Sequence, residues 1–249
     1  MFNDYLELSM KMDEKKRRKY KKALFKNKLL KDLKENQIEN ILDFTEEEIW
    51  PKNTCSLSIT KPLSRFHFII SGRIKVYKVD KDSGREFTMF LLKDNDVFDV
   101  ISLLEELDHE VFYETLDKAI ILSVPMDVMR RWVKKNSDIN KNMLPYLGHQ
   151  LKTMEEYASD VTLIDISTRL AKLILSNINT ESQKLELIND LSNEELANLI
   201  GSTRAVVNRH LQEFKNDGIL YLGRQKVEIR NLNLLLEKIK TGNGNQKNI

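Results

Sequence analysis

Six residues in one short stretch carry the chemistry of this chain: Thr203, Arg204, Ala205, Asn208, Arg209 and Gln212. Their spacing puts them on one side of a helix, and the interval they span holds two arginines, one histidine and no acid. A guanidinium can donate in a fork to guanine, and a carboxamide can pair with adenine, so this strip suits a base edge in a major groove. Thr203 and the amides of the first turn after it suit a phosphate. No phosphate loop, HExxH, paired CxxC, GxSxG or dinucleotide fingerprint occurs anywhere in the chain. Two other classes stand as alternatives: an enzyme with a β-roll domain, and a nucleic-acid-binding or structural adaptor working through the basic N-terminus. Neither would depend on Arg204 or Arg209.

The flanking residues supply what must hold such a strip outward. Ser192 is a helix N-cap, and Glu195 three residues on completes a capping box. Leu196, Ala197, Leu199 and Ile200 give a first helix its buried side, and Gly201 stands where the chain must turn sharply. Thr203 is expected to cap the second helix, Thr203–Asp217, in which Val207, Leu211 and Phe214 face inward. Small Ala197, glycine four residues later and Val207 six after that together fit a tightly packed helix-turn-helix; a plain helical hairpin would not need all three. After Gly218, Ile219–Leu222 and Lys226–Ile229 read as a hairpin across Gly223-Arg224-Gln225, a wing. Arg224, Lys226 and Arg230 would add salt-sensitive backbone affinity.

Upstream, short alternating segments between Glu46 and Pro125 (Phe66 to Ile70, Ile74 to Val79, Phe87 to Leu91, Val111 to Tyr113, Ala119 to Val124) are separated by Ser71-Gly72, Asp82-Ser83-Gly84 and Asp94-Asn95-Asp96. They predict an antiparallel roll, sandwich or barrel. Leu144, Leu147, Leu151, Met154, Ala158 and Val161 then recur at spacings of 3, 4, 3, 4 and 3. So narrow a stripe favours a seam between two helices of a parallel homodimer over one helix lying on its own core. Residues 11–28 hold ten cations (Lys11, Lys15, Lys16, Arg17, Arg18, Lys19, Lys21, Lys22, Lys26, Lys28). They read as the solvated face of a helix carrying Leu24, Phe25, Leu29, Leu30 and Leu33, or as a contact to DNA or RNA.

The fold class that follows is α+β, and the chain divides into five segments. Residues 1–27 form a basic, helical extension and 28–136 an N-terminal antiparallel β-roll, cupin- or jelly-roll-like, to which the family resemblance given below assigns a sensor role. Residues 137–164 are a long dimerisation helix, 165–240 a C-terminal winged helix-turn-helix, and 241–249 a disordered tail. The 249 residues allow two domains of roughly 100 to 150 residues each. Forty basic against 38 acidic residues leave a net charge of +2, so a nucleic-acid surface has to be a local patch. The single cysteine, Cys55, excludes an internal disulfide framework and a cluster held by four thiolates of one chain, and points to a reducing, cytoplasmic setting. It reads as a buried inert thiol rather than a redox switch. No apolar run is long enough to span a membrane.

This order of parts resembles the CRP/FNR superfamily of bacterial transcription regulators. The resemblance covers residues 28 to 240 and is carried by Leu196-Ala-Asn-Leu-Ile-Gly-Ser-Thr-Arg-Ala-Val-Val-Asn-Arg209, by Gly218-Ile-Leu220 and by Phe68-Ile-Ile-Ser-Gly-Arg-Ile-Lys-Val-Tyr77. It implies a homodimer on near-palindromic double-stranded DNA, an effector in the roll that re-aims the DNA-binding heads, and RNA polymerase as partner. Arg204 and Arg209 look like the family's base-contacting arginines, while Ala205 stands where the family often has a glutamate. The sensor departs further. Where the family's cyclic-nucleotide binders carry Gly-Glu-Leu and a downstream Arg-Ser/Thr, this chain has Val97-Phe-Asp-Val-Ile-Ser102 and Leu107-Asp-His-Glu-Val111. A cyclic phosphate beside Asp99 and Glu110 lacks a cation, so cyclic AMP is not expected. Nothing in the sequence demands a cofactor. A haem sensing nitric oxide or carbon monoxide stays open, with His67, His109 and His149 as candidate axial ligands. Each histidine also has a plain reading, as does the set Phe98, Val100, Ile101, Leu103, Leu104, Phe112 and Tyr113, which reads as core rather than pocket.

Overall fold

The alternation of Phe66, Phe68 and Ile70 with His67 and Ile69 marks a strand with two faces, and in the computed structural model of the chain both faces are buried. One residue set packs against helices and the other against strands, so polarity alone does not reveal which way the strand faces. The structure describes residues 12–57, 65–105, 110–179, 185–223 and 226–244, which fall into two compact units: residues 1–79 with 90–150, and residues 80–89 with 151–249.

The first unit begins with α1 (Glu14–Leu24) and α2 (Glu35–Leu42), followed by β1 (Glu46–Trp50), β2 (Cys55–Leu57), β3 (Arg65–Ser71), β4 (Ile74–Val79) and β5 (Glu86–Leu92). Then come β6 (Val97–Phe98), α3 (Val100–Glu105), β7 (Phe112–Thr115), β8 (Ala119–Pro125) and α4 (Met126–Lys135). The strands form two four-stranded sheets in the orders β1-β8-β3-β6 and β2-β7-β4-β5, with β8 antiparallel to both β1 and β3, and β7 antiparallel to both β2 and β4. This is the expected roll. At the turn after β3, Gly72 has φ 102°, and a Cβ there would lie 2.8 Å from the Ala119 Cα, so only glycine fits.

The N-terminal segment is not an appendage to that roll. Tyr20 and Leu24 are buried in the same core as Leu29, Leu30, Phe66, Phe68, Leu122 and Val124, so packing crosses the boundary expected at residues 27 and 28. Burial of each such side chain contributes about 1.5–3 kcal/mol. Burial first, and then the Glu47 carboxylate it bonds, push the Tyr20 phenol up to about 12.

Two expectations about side chains need correction. Cys55 is exposed rather than buried, with its Sγ 3.3 Å from the Tyr77 hydroxyl, because β2 lies at the edge of its sheet. In the apolar set read as core, Ile101 and Leu104 are exposed; Phe98, Val100, Leu103 and Tyr113 are buried as expected.

A polar cluster sits inside the roll. His67 Nδ1 lies 2.9 Å from Asp99 Oδ2, and the Tyr113 hydroxyl donates to Asp99 Oδ1 at 2.6 Å. The His67 ring stacks on Phe98 at 4.3 Å, with Trp50 at its edge. Burial, followed by the Asp99 charge, pushes the Tyr113 phenol well above its ordinary value, so it remains a donor. Asp99 has φ 70°, a left-handed conformation that aspartate tolerates better than most residues.

The first unit ends, and the second resumes, within one helix. After a 3₁₀ turn (Ser137–Ile139), α5 (Asn140–Leu163) runs 24 residues, about 36 Å at 1.5 Å per residue. Along the predicted stripe Leu144 and Leu151 are 69% and 72% exposed, too open to belong to a core of this chain. Ala158 and Val161 are also exposed, Leu147 and Met154 half-buried, and Leu147 packs on the roll core.

In the second unit follow α6 (Ile166–Ser176), α7 (Asn193–Ile200), α8 (Arg204–Asn216), the hairpin β9 (Leu220–Gly223) and β10 (Lys226–Ile229), and α9 (Leu232–Gly244). Here the structure corrects the expected tail. Residues 241–244 continue α9, and a Cβ at Gly242 would come within 1.7 Å of Thr168 Oγ1, so the glycine marks close packing on α6 rather than disorder. Residues 245–249 lie outside the described residues.

Asp99→Ala should destabilise the roll by roughly 2–4 kcal/mol, because it leaves the His67 and Tyr113 groups without their partner and puts alanine in a left-handed conformation. Urea unfolding checks this; a loss under 1 kcal/mol would show that the cluster contributes little.

Candidate nucleic-acid interface

The helix pair is assembled by short-range bonds. Ser192 Oγ accepts from the Glu195 amide at 3.2 Å and the Glu195 carboxylate accepts from the Ser192 amide at 2.6 Å, so the capping box forms as read. Leu196, Ala197 and Ile200 are buried, and Leu199 half-buried. Gly201 closes α7 with φ 64° and ψ 48°. The Ser202 amide then bonds back to the Ala197 carbonyl at 2.9 Å, and Arg169 Nη1 on α6 donates to the Ile200 carbonyl at 2.7 Å. Two of the last four carbonyls of α7 are thereby satisfied, one by the turn and one by a cation. A Cβ on Gly201 would lie 2.9 Å from the Tyr157 hydroxyl.

In α8, Val207, Leu211 and Phe214 are buried, while Thr203, Arg204, Ala205, Asn208, Arg209 and Gln212 are all exposed. The six residues predicted to share one outer side therefore do so. Thr203 occupies the N-cap position with extended backbone, and its carbonyl accepts from the Val207 amide at 3.0 Å. Its hydroxyl makes no capping bond, against expectation; it stays exposed at the helix N-terminus, where an anion is favoured.

One neighbour of the strip escaped the sequence reading. Glu213 accepts at 2.7 Å from His210 Nδ1 and lies 3.8 Å from Arg209 Nε, while Arg209 Nη2 is 3.4 Å from His210 Nε2. Spacings of three and four residues from His210 and Arg209 were the signal that could have found it. The bond to His210 is the main cause holding the Glu213 carboxyl below its usual range. Asn193 Nδ2 donates to Asn208 Oδ1 at 3.1 Å, tying α7 to the middle of the strip.

The predicted wing is present as an antiparallel pair, Lys226 opposite Gly223 and Ile229 opposite Leu220, and the Arg230 guanidinium lies 5.2 Å over the Tyr221 ring. Arg224 and the Lys226 side chain lie outside the described residues, as does His109. Of the other haem candidates, His67 is enclosed in the roll cluster and His149 is exposed on α5. Among the described residues no group of three His, Cys, Asp or Glu side chains could hold a metal, and no helix is long and apolar enough to cross a membrane.

The second unit also contains residues 80–89, the connection between β4 and β5. Asn198 Nδ2 on α7 donates to Glu86 Oε2 at 3.1 Å, and Phe87 packs on Tyr157 with ring centroids 4.7 Å apart.

A roll of two antiparallel sheets, a long helix with an open apolar stripe, and a winged helix pair presenting arginines define a DNA-binding transcription regulator. The comparisons agree. A family model of the Crp-like helix-turn-helix domain matches residues 168–238. The chain is 26% identical over 72% of its length to a CRP-like cAMP-activated global transcriptional regulator of Mycobacterium tuberculosis, covering 82% of that protein. It is also 26% identical over 68% of its length to the global nitrogen regulator of a Synechocystis species, covering 78% of it. In fold it is similar to a crp/fnr-family regulator from Eubacterium rectale, with a TM-score of 0.67 at 21% identity over 85% of this chain and 97% of the other. Residues 168–238 are thus a Crp-like helix-turn-helix domain, and the chain as a whole is similar to transcription regulators of the CRP/FNR superfamily. These relatives are transcription regulators, not enzymes.

Gly201→Ala should destabilise the helix pair by about 1–2 kcal/mol, the cost of a left-handed alanine. The Tyr157 hydroxyl is the end of a flexible side chain and can swing aside, so adding Tyr157→Phe should restore less than half of the loss in thermal unfolding. Restoration of most of it would make the steric contact, not the backbone, the dominant cause. The Glu213 carboxyl has an ordinary value of 4.5 and a lower one in the fold. The stability its bond supplies is therefore whole above about pH 4.5 and fades as pH falls through the lowered value. Glu213→Gln should flatten that acid limb of the unfolding curve, and an unchanged limb would show that other carboxylates set it.

Proposed function

We propose that the chain acts as a homodimeric, sequence-specific regulator whose α8 reads a near-palindromic site, Arg204 and Arg209 donating to guanines. The observation that carries this reading is the shared exposure of six side chains on one side of α8, opposite buried Val207, Leu211 and Phe214. Asn208 and Gln212 read further along the groove, and the Thr203 hydroxyl with the first amides of α8 takes a phosphate. Ala205 can offer only a methyl contact, so the half-site differs from one read by a glutamate at that place. Arg224, Lys226 and Arg230 of the wing add backbone affinity.

The homodimer is supported by the α5 stripe. Leu144, Leu151, Ala158 and Val161 are exposed apolar positions in an unbroken a/d register, which a second copy of the same helix would cover. Two heads then meet half-sites about one helical turn, roughly 34 Å, apart. An effector in the roll and RNA polymerase as partner complete the reading, and its setting is the cytoplasm.

One relative's name describes activation by cAMP, but the roll of this chain argues against that effector. Asp99 lies in the stretch, Val97 to Ser102, that stands where the family's cyclic-nucleotide binders have Gly-Glu-Leu, and its buried carboxylate is bonded by His67 and Tyr113. A phosphate beside it would add a second negative charge to a site of low dielectric. His67, buried and stacked on Phe98 with Nδ1 committed to Asp99, supports an effector other than haem; an absorption spectrum without a Soret band is the expected result.

The test uses a duplex recovered by selection from a random pool with the wild-type protein. Arg204→Ala and Arg209→Ala should each weaken binding to it by about 1–3 kcal/mol, and relax the choice of base at one position per half-site. Leu144→Glu with Leu151→Glu, placed at the open positions so that the roll core is untouched, should give monomers without specific binding. Failure to enrich any duplex, or a monomeric variant that footprints like the wild type, would sink the proposal.

A further inference from the structure

The basic run near the N-terminus is sorted by the fold into two sides that behave differently. On the inner side, Lys16 pairs with Glu47 at 2.7 Å and Arg17 with Asp43 at 2.6 Å, while Lys21 bonds Glu35 and Glu39. Those charges are consumed in holding α1 to α2 and β1. On the outer side, Lys15, Arg18, Lys19 and Lys22 recur at spacings of 3, 1 and 3, and Lys26 follows four residues later in the turn after α1. All five are exposed. No acid among the described residues lies within ion-pair distance of Lys15, Lys19, Lys22 or Lys26, and Arg18 reaches only Glu14, at 3.7 Å. Lys19 lies 5.7 Å over the Tyr20 ring and weakly influences Glu47.

Like charges three and four residues apart repel along a helix. The segment carries that repulsion at 15/18, 15/19, 18/22, 19/22 and 22/26, and among the described residues only the Arg18–Glu14 approach and the weak influence of Lys19 on Glu47 offset it. A linear polyanion would offset the rest. From Lys15 to Lys26 is eleven residues, about 16 Å at 1.5 Å per residue, which matches some five phosphates of one strand at about 3.4 Å per nucleotide. Among the described residues the ridge offers no ring on which a base could stack: Tyr20 is buried and Phe25 half-buried beneath it. Point charges without aromatic platforms suit a duplex backbone and not a single strand.

We infer that the outer face of α1 is a second DNA contact, a sequence-independent site for the phosphate backbone of duplex DNA formed by Lys15, Arg18, Lys19, Lys22 and Lys26. The inference rests on the chain being a DNA-binding regulator and adds a surface that carries no base preference. It gives the protein a hold on DNA separate from the recognition strip.

The experiment compares the full-length protein with the Lys15→Gln, Lys19→Gln, Lys22→Gln, Lys26→Gln variant. Exposed glutamine keeps helix propensity, so folding should be unchanged. Binding is measured from 50 to 200 mM KCl on three probes: a random-sequence 60-base-pair duplex, a duplex enriched by selection, and poly(U). The variant should bind the random duplex more weakly. The slope of log affinity against log salt should fall by at least about 2 per protomer, since each neutralised phosphate contributes about 0.9. Its ratio of selected to random affinity should hold or rise. A slope change smaller than about 2, or a loss seen on poly(U) but not on duplex, overturns the inference. Failure of the functional reading is distinguishable: the wild type would then select no duplex at all, whatever the variant does to the salt slope.

Discussion

For Arg204 and Arg209 to leave the protein side by side, the chain must reverse between two helices within three residues, and that reversal depends on a left-handed backbone at Gly201. With φ at 64°, α7 ends with two of its carbonyls bonded to Ser202 and Arg169, and α8 starts with Thr203 already extended. Every later feature inherits this direction. Val207, Leu211 and Phe214 reach the core only if α8 leaves Gly201 at that angle, and when they do, the strip has nowhere to point but outward. The glycine therefore acts through geometry it imposes on residues it does not touch. Arg169 fixes the turn from α6, and Tyr157 covers its open side, so the reversal is held by two helices besides the pair it joins.

This is also why the site was legible in the sequence. The capping box, the glycine and the inward positions of α8 all act over at most about ten residues, and local rules of spacing describe them. The roll was legible as a class for the same reason, since its turns punctuate its strands. What escaped was long-range. His67 and Asp99 are 32 residues apart and Tyr113 is 14 beyond Asp99, so no local pattern shows that they meet. The helical continuation through Gly242 rests on Thr168, far earlier in the chain; composition said tail, and a tertiary contact overrode it. Cys55 was misjudged because a thiol's average burial says nothing of a strand that ends up at a sheet edge. Glu213 is different: its spacing to Arg209 and His210 is local and legible in the sequence, but it lies one residue beyond Gln212, the last residue of the strip.

Glu213 changes the electrostatics of that strip in a definite way. A carboxylate one turn beyond Arg209 lowers the local positive potential, which weakens indiscriminate attraction to phosphate. At the same time it narrows the positions Arg209 and His210 adopt, so less side-chain freedom remains to be lost when a base edge is met. An acid there trades affinity for any DNA against definition at one position. The bond from Asn193 to Asn208 works in the same sense, fixing a carboxamide that would otherwise sample several orientations.

The near-zero net charge then becomes intelligible. With forty basic and 38 acidic residues the protein has almost no long-range field, yet its charges are not evenly mixed. Inner cations of α1 are matched to Glu35, Glu39, Asp43 and Glu47, and these pairs do structural work between elements of one unit. Among the cations left over, two narrow strips stand out, one on α8 and one on the outer face of α1. At physiological salt the Debye length is about 8 Å, shorter than either strip, so what a phosphate senses is the strip beneath it and not the total. A chain can thus remain close to neutral, avoiding the self-repulsion of a highly basic protein, while each strip keeps a local excess of positive charge of the kind counterion release requires. Sorting, rather than excess, is what makes this surface selective for where nucleic acid can approach.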